Sequence, residues 1–361
     1  MRNFVSLLLI FVVGSAMFFF LTKTPPKKGQ GLPIEAPVPS AMISPAVSTK
    51  TQISAWLPWW EEKRALESLR RAKGKLVTIL PVWYGLGEDG KVSEIPSNFK
   101  PEVLSFAKEV NTAVLPSISN AKASGFDPER VSLLINDEEL KEEEIGKLVN
   151  LAKTNHFSGW DLDWEEIYEK DRQTYSEFTN NFADELHKNG LLLSVTVHAQ
   201  EGTPDDWAGT KGQDLEELSK SADFVRIMAY DFNNSQTPPG PVTPIDKLKS
   251  TLAYAVKIIP THKIVLGLPT YGYDWDENAA LAIQYQDAYV LLEKYGTKGI
   301  RDKESFALTG GYVSFGVKHT LWFEDAESLK KKIEIAQKYG VYQFSLWHLG
   351  GEDPEIWDLA Y

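Results

Sequence analysis

Acidic residues recur at every second position in Phe157-Ser158-Gly159-Trp160-Asp161-Leu162-Asp163-Trp164-Glu165. The residues between them are apolar or aromatic, so the segment is predicted to be a strand, with a side-chain period of two. Asp161, Asp163 and Glu165 then project from one face, and Ser158, Trp160, Leu162 and Trp164 from the other. Carboxylates this close oppose one another's ionisation, so at least one should keep its proton above the usual range. A carboxylic acid still protonated near neutral pH is what general acid catalysis needs. Two plainer readings are an exposed edge strand and a calcium-binding acidic loop. Calcium loops of the common kind carry Gly, Asn and Asp in turn-rich sequence, unlike Trp-Asp-Leu-Asp-Trp.

Elements able to position such a row alternate along the chain. Short apolar runs are predicted as strands at 53–58, 76–82, 112–117, 157–165, 191–198, 224–230, 263–269 and 341–347. Charged amphipathic segments between them, including 61–72, 138–154, 171–188, 245–259 and 327–339, read as helices. Gly74, Gly190 and Gly340 follow three of these helices, where a left-handed C-cap is wanted. Eight strands alternating with helices imply a parallel sheet that closes into a (β/α)8 TIM barrel. An open doubly wound sheet is disfavoured: Trp56-Leu57-Pro58-Trp59-Trp60 stands where a glycine-rich phosphate loop would follow its first strand. The gap between the seventh and eighth strands is too long for one crossover. Within it, 310–317 and 319–323 read as a hairpin, so a small α+β insertion is expected over roughly 274–323.

The octapeptide from Ser158 to Glu165 resembles the D-G-x-D-x-D-[WF]-E signature of glycoside hydrolase family 18. This chitinase-like family includes cell-wall and spore-cortex N-acetylglucosaminidases. Seven of the eight positions fit, Ser158 standing where the family usually has Asp. Met228-Ala229-Tyr230-Asp231 is similar to the family's M-x-Y-D motif, and Trp347 ends the last strand, where the family places the floor beneath the central sugar. The segment 321–326 resembles the family's return from its insertion, so the likeness runs from about 53 to 361.

The resemblance implies a retaining, substrate-assisted glycosidase, an exception to the two-carboxylate rule. Glu165 would be the general acid and then the base. Asp163 would orient the 2-acetamido group that acts as nucleophile, and Asp161 would share a proton with Asp163. Tyr230 would donate to the acetamido oxygen. Asp231, Trp347, Met228 and Tyr271 would bind substrate. Ser158 lies off the acidic face near the start of the strand, which leaves the acid and its helpers in place.

Composition is consistent with this. A net charge of −12 argues against nucleic acid, while 11 Trp and 14 Tyr suit the apolar faces of sugar rings as well as a large core. There is no Cys for a disulfide or thiolate site, and the six His show no ligand spacing, so neither metal nor cofactor is expected. His198, at the end of the fifth strand, is read as structural or in touch with substrate.

Ahead of the barrel, the uncharged run from Phe4 to Leu21 spans 18 residues. At ~1.5 Å per residue that is ~27 Å, close to a bilayer core. Residues 1–21 are therefore expected to be a membrane anchor rather than a cleaved signal segment. The Pro-rich stretch 22–50 is read as a linker and 51–361 as the catalytic barrel. The positive charges flanking the run do not favour an external barrel, but a polymeric substrate requires one. The expected partners are chitin or peptidoglycan glycan strands and the membrane; the barrel is expected to be a monomer, membrane-anchored and extracytoplasmic, or secreted if the leading segment is cleaved. The competing reading is a catalytically inactive, lectin-like glycan-binding barrel, which in this family usually lacks the terminal Glu that is present here as Glu165.

Overall fold

The computed structural model describes residues 49–203 and 206–359. The expected anchor, and all but the last two residues of the expected linker, lie outside them. Among the described residues no helix is long and apolar enough to cross a membrane.

Eight parallel strands close into a barrel: β1 (Gln52–Leu57), β2 (Leu76–Leu86), β3 (Ser117–Ser119), β4 (Gly159–Asp163), β5 (Leu192–His198), β6 (Phe224–Met228), β7 (Ile264–Pro269) and β8 (Gln343–Trp347). Closure is made by β1, which pairs with β8 on one side and β2 on the other. The helices packed around it are α1 (Glu62–Arg71), α2 (Lys100–Val110), α3 (Pro128–Asn136), α4 (Glu138–Asn155), α5 (Arg172–Lys188), α6 (Leu215–Ser221) and α7 (Ile245–Ile258). Within the insertion lies α8 (Tyr285–Lys294), and α9 (Ala326–Gln337) precedes β8. Gly74, Gly190 and Gly340 all take positive φ, as C-caps should.

Between β7 and α9 the chain builds a separate five-stranded antiparallel sheet. Val317–Phe323 is central in it, Tyr271–Trp275 lies between that strand and Ala280–Gln284, and Leu308–Ser314 completes the expected hairpin with the central strand. The insertion thus begins at Tyr271, three residues before the expected start, because β7 runs almost without a break into its first strand. The return is anchored in the interior, where the Lys332 ammonium of α9 lies 2.5 Å from the Glu324 carboxylate, both fully buried. Next to it Arg301 makes a bidentate pair with Asp325, which caps α9.

β2 runs four residues past its expected end, to Leu86, and β6 stops two short of its own, at Met228; two further departures bear on the site. The third strand is interrupted: Ala113–Val114 bridges to β2 before β3 proper begins at Ser117. The fourth stops at Asp163, so Trp164 and Glu165 continue beyond it. Glu165 leaves the sheet because its backbone N–H and C=O are both taken by the Asn120 side-chain amide, at 2.9 Å each.

The outer face of β4 explains its apolar residues. The Trp160 indole N–H donates to the Leu148 carbonyl of α4, and Trp164 packs on Tyr175 and Phe178 of α5. Gly159 admits the closest approach in the barrel wall, since a Cβ there would lie 1.9 Å from the Leu192 carbonyl oxygen of β5. A β4 seam pinned on its outer face leaves its inner residues no choice of direction.

Candidate active site

The inner row of β4 climbs from the barrel interior to its mouth: Asp161 is fully buried, Asp163 nearly so, and Glu165 is partly open. Asp161 is gripped from both neighbouring strands. It accepts a hydrogen bond from Ser117 Oγ of β3 at 2.8 Å and bonds from Thr196 Oγ1 of β5 to both its oxygens at 3.1 Å. One strand further round, Arg226 of β6 brings Nε to 3.6 Å from Asp161 Oδ1 and donates to Ser194 Oγ at 2.8 Å. Burial pushes the guanidinium down to about 10, against the pull of Asp161, so it is still a cation at neutral pH. Ser158 takes no part in this grip; its backbone pairs with Val114 and Leu192.

Above this layer ionisation becomes costly. Burial, and then the negative charge of Asp161, raise the Asp163 carboxyl to about 8. The Glu165 carboxyl is also held well above its ordinary range, first by burial and then by Asp163, Glu166 and Asp231. His198 Nε2 of β5 stands 3.2 Å from Glu165 Oε2, off hydrogen-bond alignment, and burial lowers that imidazole to about 4, so it is neutral. Both carboxyls thus hold their protons more tightly than usual, first because of burial and then because of negative neighbours.

The strand-six motif reaches the same place. Tyr230 lies close enough to Asp163, Glu165, Asp231 and Asp161 for their charges, after burial, to raise its phenol well above its usual value. Asp231 adopts left-handed backbone (φ 59°) and accepts from the Tyr271 and Tyr273 hydroxyls at 2.5 and 2.9 Å. Burial nevertheless raises its carboxyl, with those two hydrogen bonds opposing. Met228 is buried on the inner face of β6. Trp347, on the strand that faces β4 across the mouth, packs edge-on to Trp56, lies tilted against Trp60 and is partly exposed.

All eight residues singled out from the sequence are thus gathered at one end of the barrel, the C-terminal ends of the strands, as expected for this architecture. Tyr271 is the exception in manner: it touches Asp231 rather than presenting its hydroxyl to the open mouth. Several residues were not foreseen. Arg226 carried a signal, a lone charge in an apolar strand with the parity of Met228 and Tyr230. Ser117, Thr196, Asn120 and Tyr273 carried little, because their value lies in which strand stands next to which.

A closed parallel barrel thus turns a row of carboxyls on β4 toward a partly open indole on β8, an arrangement able to give a proton to a bound ligand. Comparison with known proteins narrows this. The model of the family described as glycosyl hydrolases family 18 matches residues 70–352. The chain is 29% identical over 256 residues to "Uncharacterized glycosylase YvbX" of Bacillus subtilis (strain 168), covering 69% of this chain and 74% of that one. It is 28% identical over 262 residues to the cortical fragment-lytic enzyme of the same organism, covering 71% of this chain and less than two thirds (61%) of that relative. Among solved structures, the chitinase from Chromobacterium violaceum superposes with a TM-score of 0.79 at 27% identity, covering 85% of this chain and 97% of that one. The chain belongs to glycosyl hydrolase family 18.

Proposed function

We propose that the barrel cleaves β-1,4 linkages in N-acetylglucosamine-containing polymers with retention of configuration. The observation that carries this is the position of Glu165, a partly open carboxyl at the barrel mouth just past Asp163 on the inner row of β4, whose hold on its proton is raised by burial and then by Asp163. Glu165 gives its proton to the glycosidic oxygen while the substrate's acetamido oxygen attacks the anomeric carbon. The leaving sugar departs with the proton, and an oxazolinium ring closes on the sugar above Trp347. Asp163 faces the acetamido N–H and stabilises the cation; Asp161, deeper, raises Asp163's affinity for a proton so that the pair shares one. Tyr230 donates to the acetamido oxygen, and Asp231, steadied by Tyr271 and Tyr273, holds the sugar. Glu165, now a carboxylate, takes a proton from water as that water opens the ring. Met228 and Trp347 line the seat.

Chitin and peptidoglycan glycan strands both offer the required acetamido sugar, and the relatives' names include a cortical fragment-lytic enzyme and a chitinase. In this reading residues 1–21 anchor the protein to a membrane and 22–50 tether a barrel at 51–361 outside it, within ~90 Å at about 3.1 Å per linker residue. The test is Glu165→Gln, assayed by release of reducing ends from each purified polymer. Turnover should fall by about 10²–10⁴, the worth of a positioned acid–base group, while oligosaccharide affinity persists. A wild-type protein that binds such glycans and releases no ends from either polymer would overturn the proposal in favour of a binding barrel.

A further inference from the structure

A sugar seated between Trp347 and the carboxyls of β4 has its scissile oxygen at Glu165. The sugar that leaves must then lie beyond Glu165, over the rim of the barrel. On the β5 side of that rim stands Trp207, whose side chain is half exposed. Its ring meets His198 edge-to-face at 4.8 Å between centroids, and His198 is the residue 3.2 Å from Glu165 Oε2.

The indole is held in place. Gly209 lies directly against its six-membered ring: a Cβ there would sit 2.4 Å from Cη2 and Cζ3, so any side chain would push the indole away. The Trp207 carbonyl accepts from Thr210 twice, from the backbone N–H at 3.0 Å and from Oγ1 at 2.7 Å. The loop is then fastened to the ends of β4 and β5 by Gln213, which is fully buried. Gln213 Nε2 donates to the Trp164 carbonyl, the peptide leading into Glu165, at 3.0 Å, and Gln213 Oε1 accepts from the His198 backbone N–H at 2.9 Å. A large ring held half in water on so braced a loop, in contact with His198, offers its face to the apolar side of a pyranose.

We propose that Trp207 is the stacking platform for the leaving-group sugar, a subsite built on the loop after β5 and referenced to Glu165 through His198 and Gln213. The proposal rests on the glycosidase reading above, since it takes Glu165 to mark the scissile bond. It is tested by binding rather than turnover, in a Glu165→Gln background. Affinity for a β-1,4-N-acetylglucosamine hexasaccharide and for an oxazoline-mimicking thiazoline, which fills only the seat above Trp347, is measured by titration calorimetry. Adding Trp207→Ala should weaken the hexasaccharide about tenfold, the scale of one lost aromatic contact, and leave the thiazoline unchanged. Trp207→Phe should recover most of the loss. Unchanged hexasaccharide affinity would overturn the proposal. Equal weakening of both ligands would overturn it too, showing Trp207 to be a prop for His198 and Glu165. Failure of the glycosidase reading would show separately, as wild-type protein inert on both polymers.

Discussion

Replacing Arg226 with methionine should expose how much of the barrel's stability is tied up beneath its active mouth. The methionine is close to the arginine stem in volume and keeps the apolar contacts, but it removes the cation opposite Asp161 and the donor to Ser194. At 3.6 Å, two unit charges attract by about 4–5 kcal/mol at an effective dielectric constant of about 20. Measured losses on stranding one partner of a buried pair are of the same size, about 3–5 kcal/mol. For a barrel of about 300 residues, unfolding entropy near 2.1 cal/mol/K per residue turns 4 kcal/mol into a fall of about 6 °C in Tm. The assay is thermal and urea unfolding of wild type, Arg226→Met, Asp161→Asn and the double variant. Because each single change leaves a charge alone in the barrel, the double variant should be more stable than the sum of the singles by about 3 kcal/mol or more. Singles that add to within about 0.5 kcal/mol, or an Arg226→Met variant within about 1 kcal/mol of wild type, would refute the view that Asp161 is held electrostatically.

The Asp163 carboxyl binds its proton more tightly folded than unfolded, so its effect on stability is a penalty that grows as pH rises from about 4 to about 8. Asp163→Asn should therefore raise Tm at pH 8 relative to wild type and change it little at pH 4; a stabilisation equal at both would contradict that sign. The same substitution removes a negative neighbour from Glu165 and should move the alkaline limb of residual activity to lower pH, measured on a soluble oligosaccharide. Gly159→Ala should cost more than about 3 kcal/mol and strip both neighbouring strands of amide protection in hydrogen exchange, because its methyl has no place beside the Leu192 carbonyl. A well-folded variant with native exchange would show that this seam can open.

How far the sequence could be read depended on whether meaning was local. The period of two in β4 and the apolar runs of β5, β7 and β8 are properties of a few consecutive residues, and they marked the barrel and the acidic row. Glu165 could be assigned to the inner face by parity alone, yet not to its position just past the strand. That depends on Asn120, which follows β3 and is brought alongside only by closure of the sheet. Ser117 and Thr196 escaped notice for the same reason: a hydroxyl in a strand has no direction until its neighbours are known. The break in the third strand was hidden too, since Leu115-Pro116 between its two pieces reads as one more apolar step.

The insertion, seen from the mouth, is not an ornament beside a self-sufficient barrel. Its first strand delivers Tyr271 and Tyr273 to a carboxyl just past the sixth strand, and the exit from Val317–Phe323 is moored by a lysine sunk in the ninth helix. Any lineage that reshapes this appendage alters the grip on Asp231 without changing a residue of the wall. A minimal eightfold barrel, pruned of it, would lose both phenols and leave that acid to find its donors in water. Diversification of pocket chemistry in such a chain can proceed from the periphery inward.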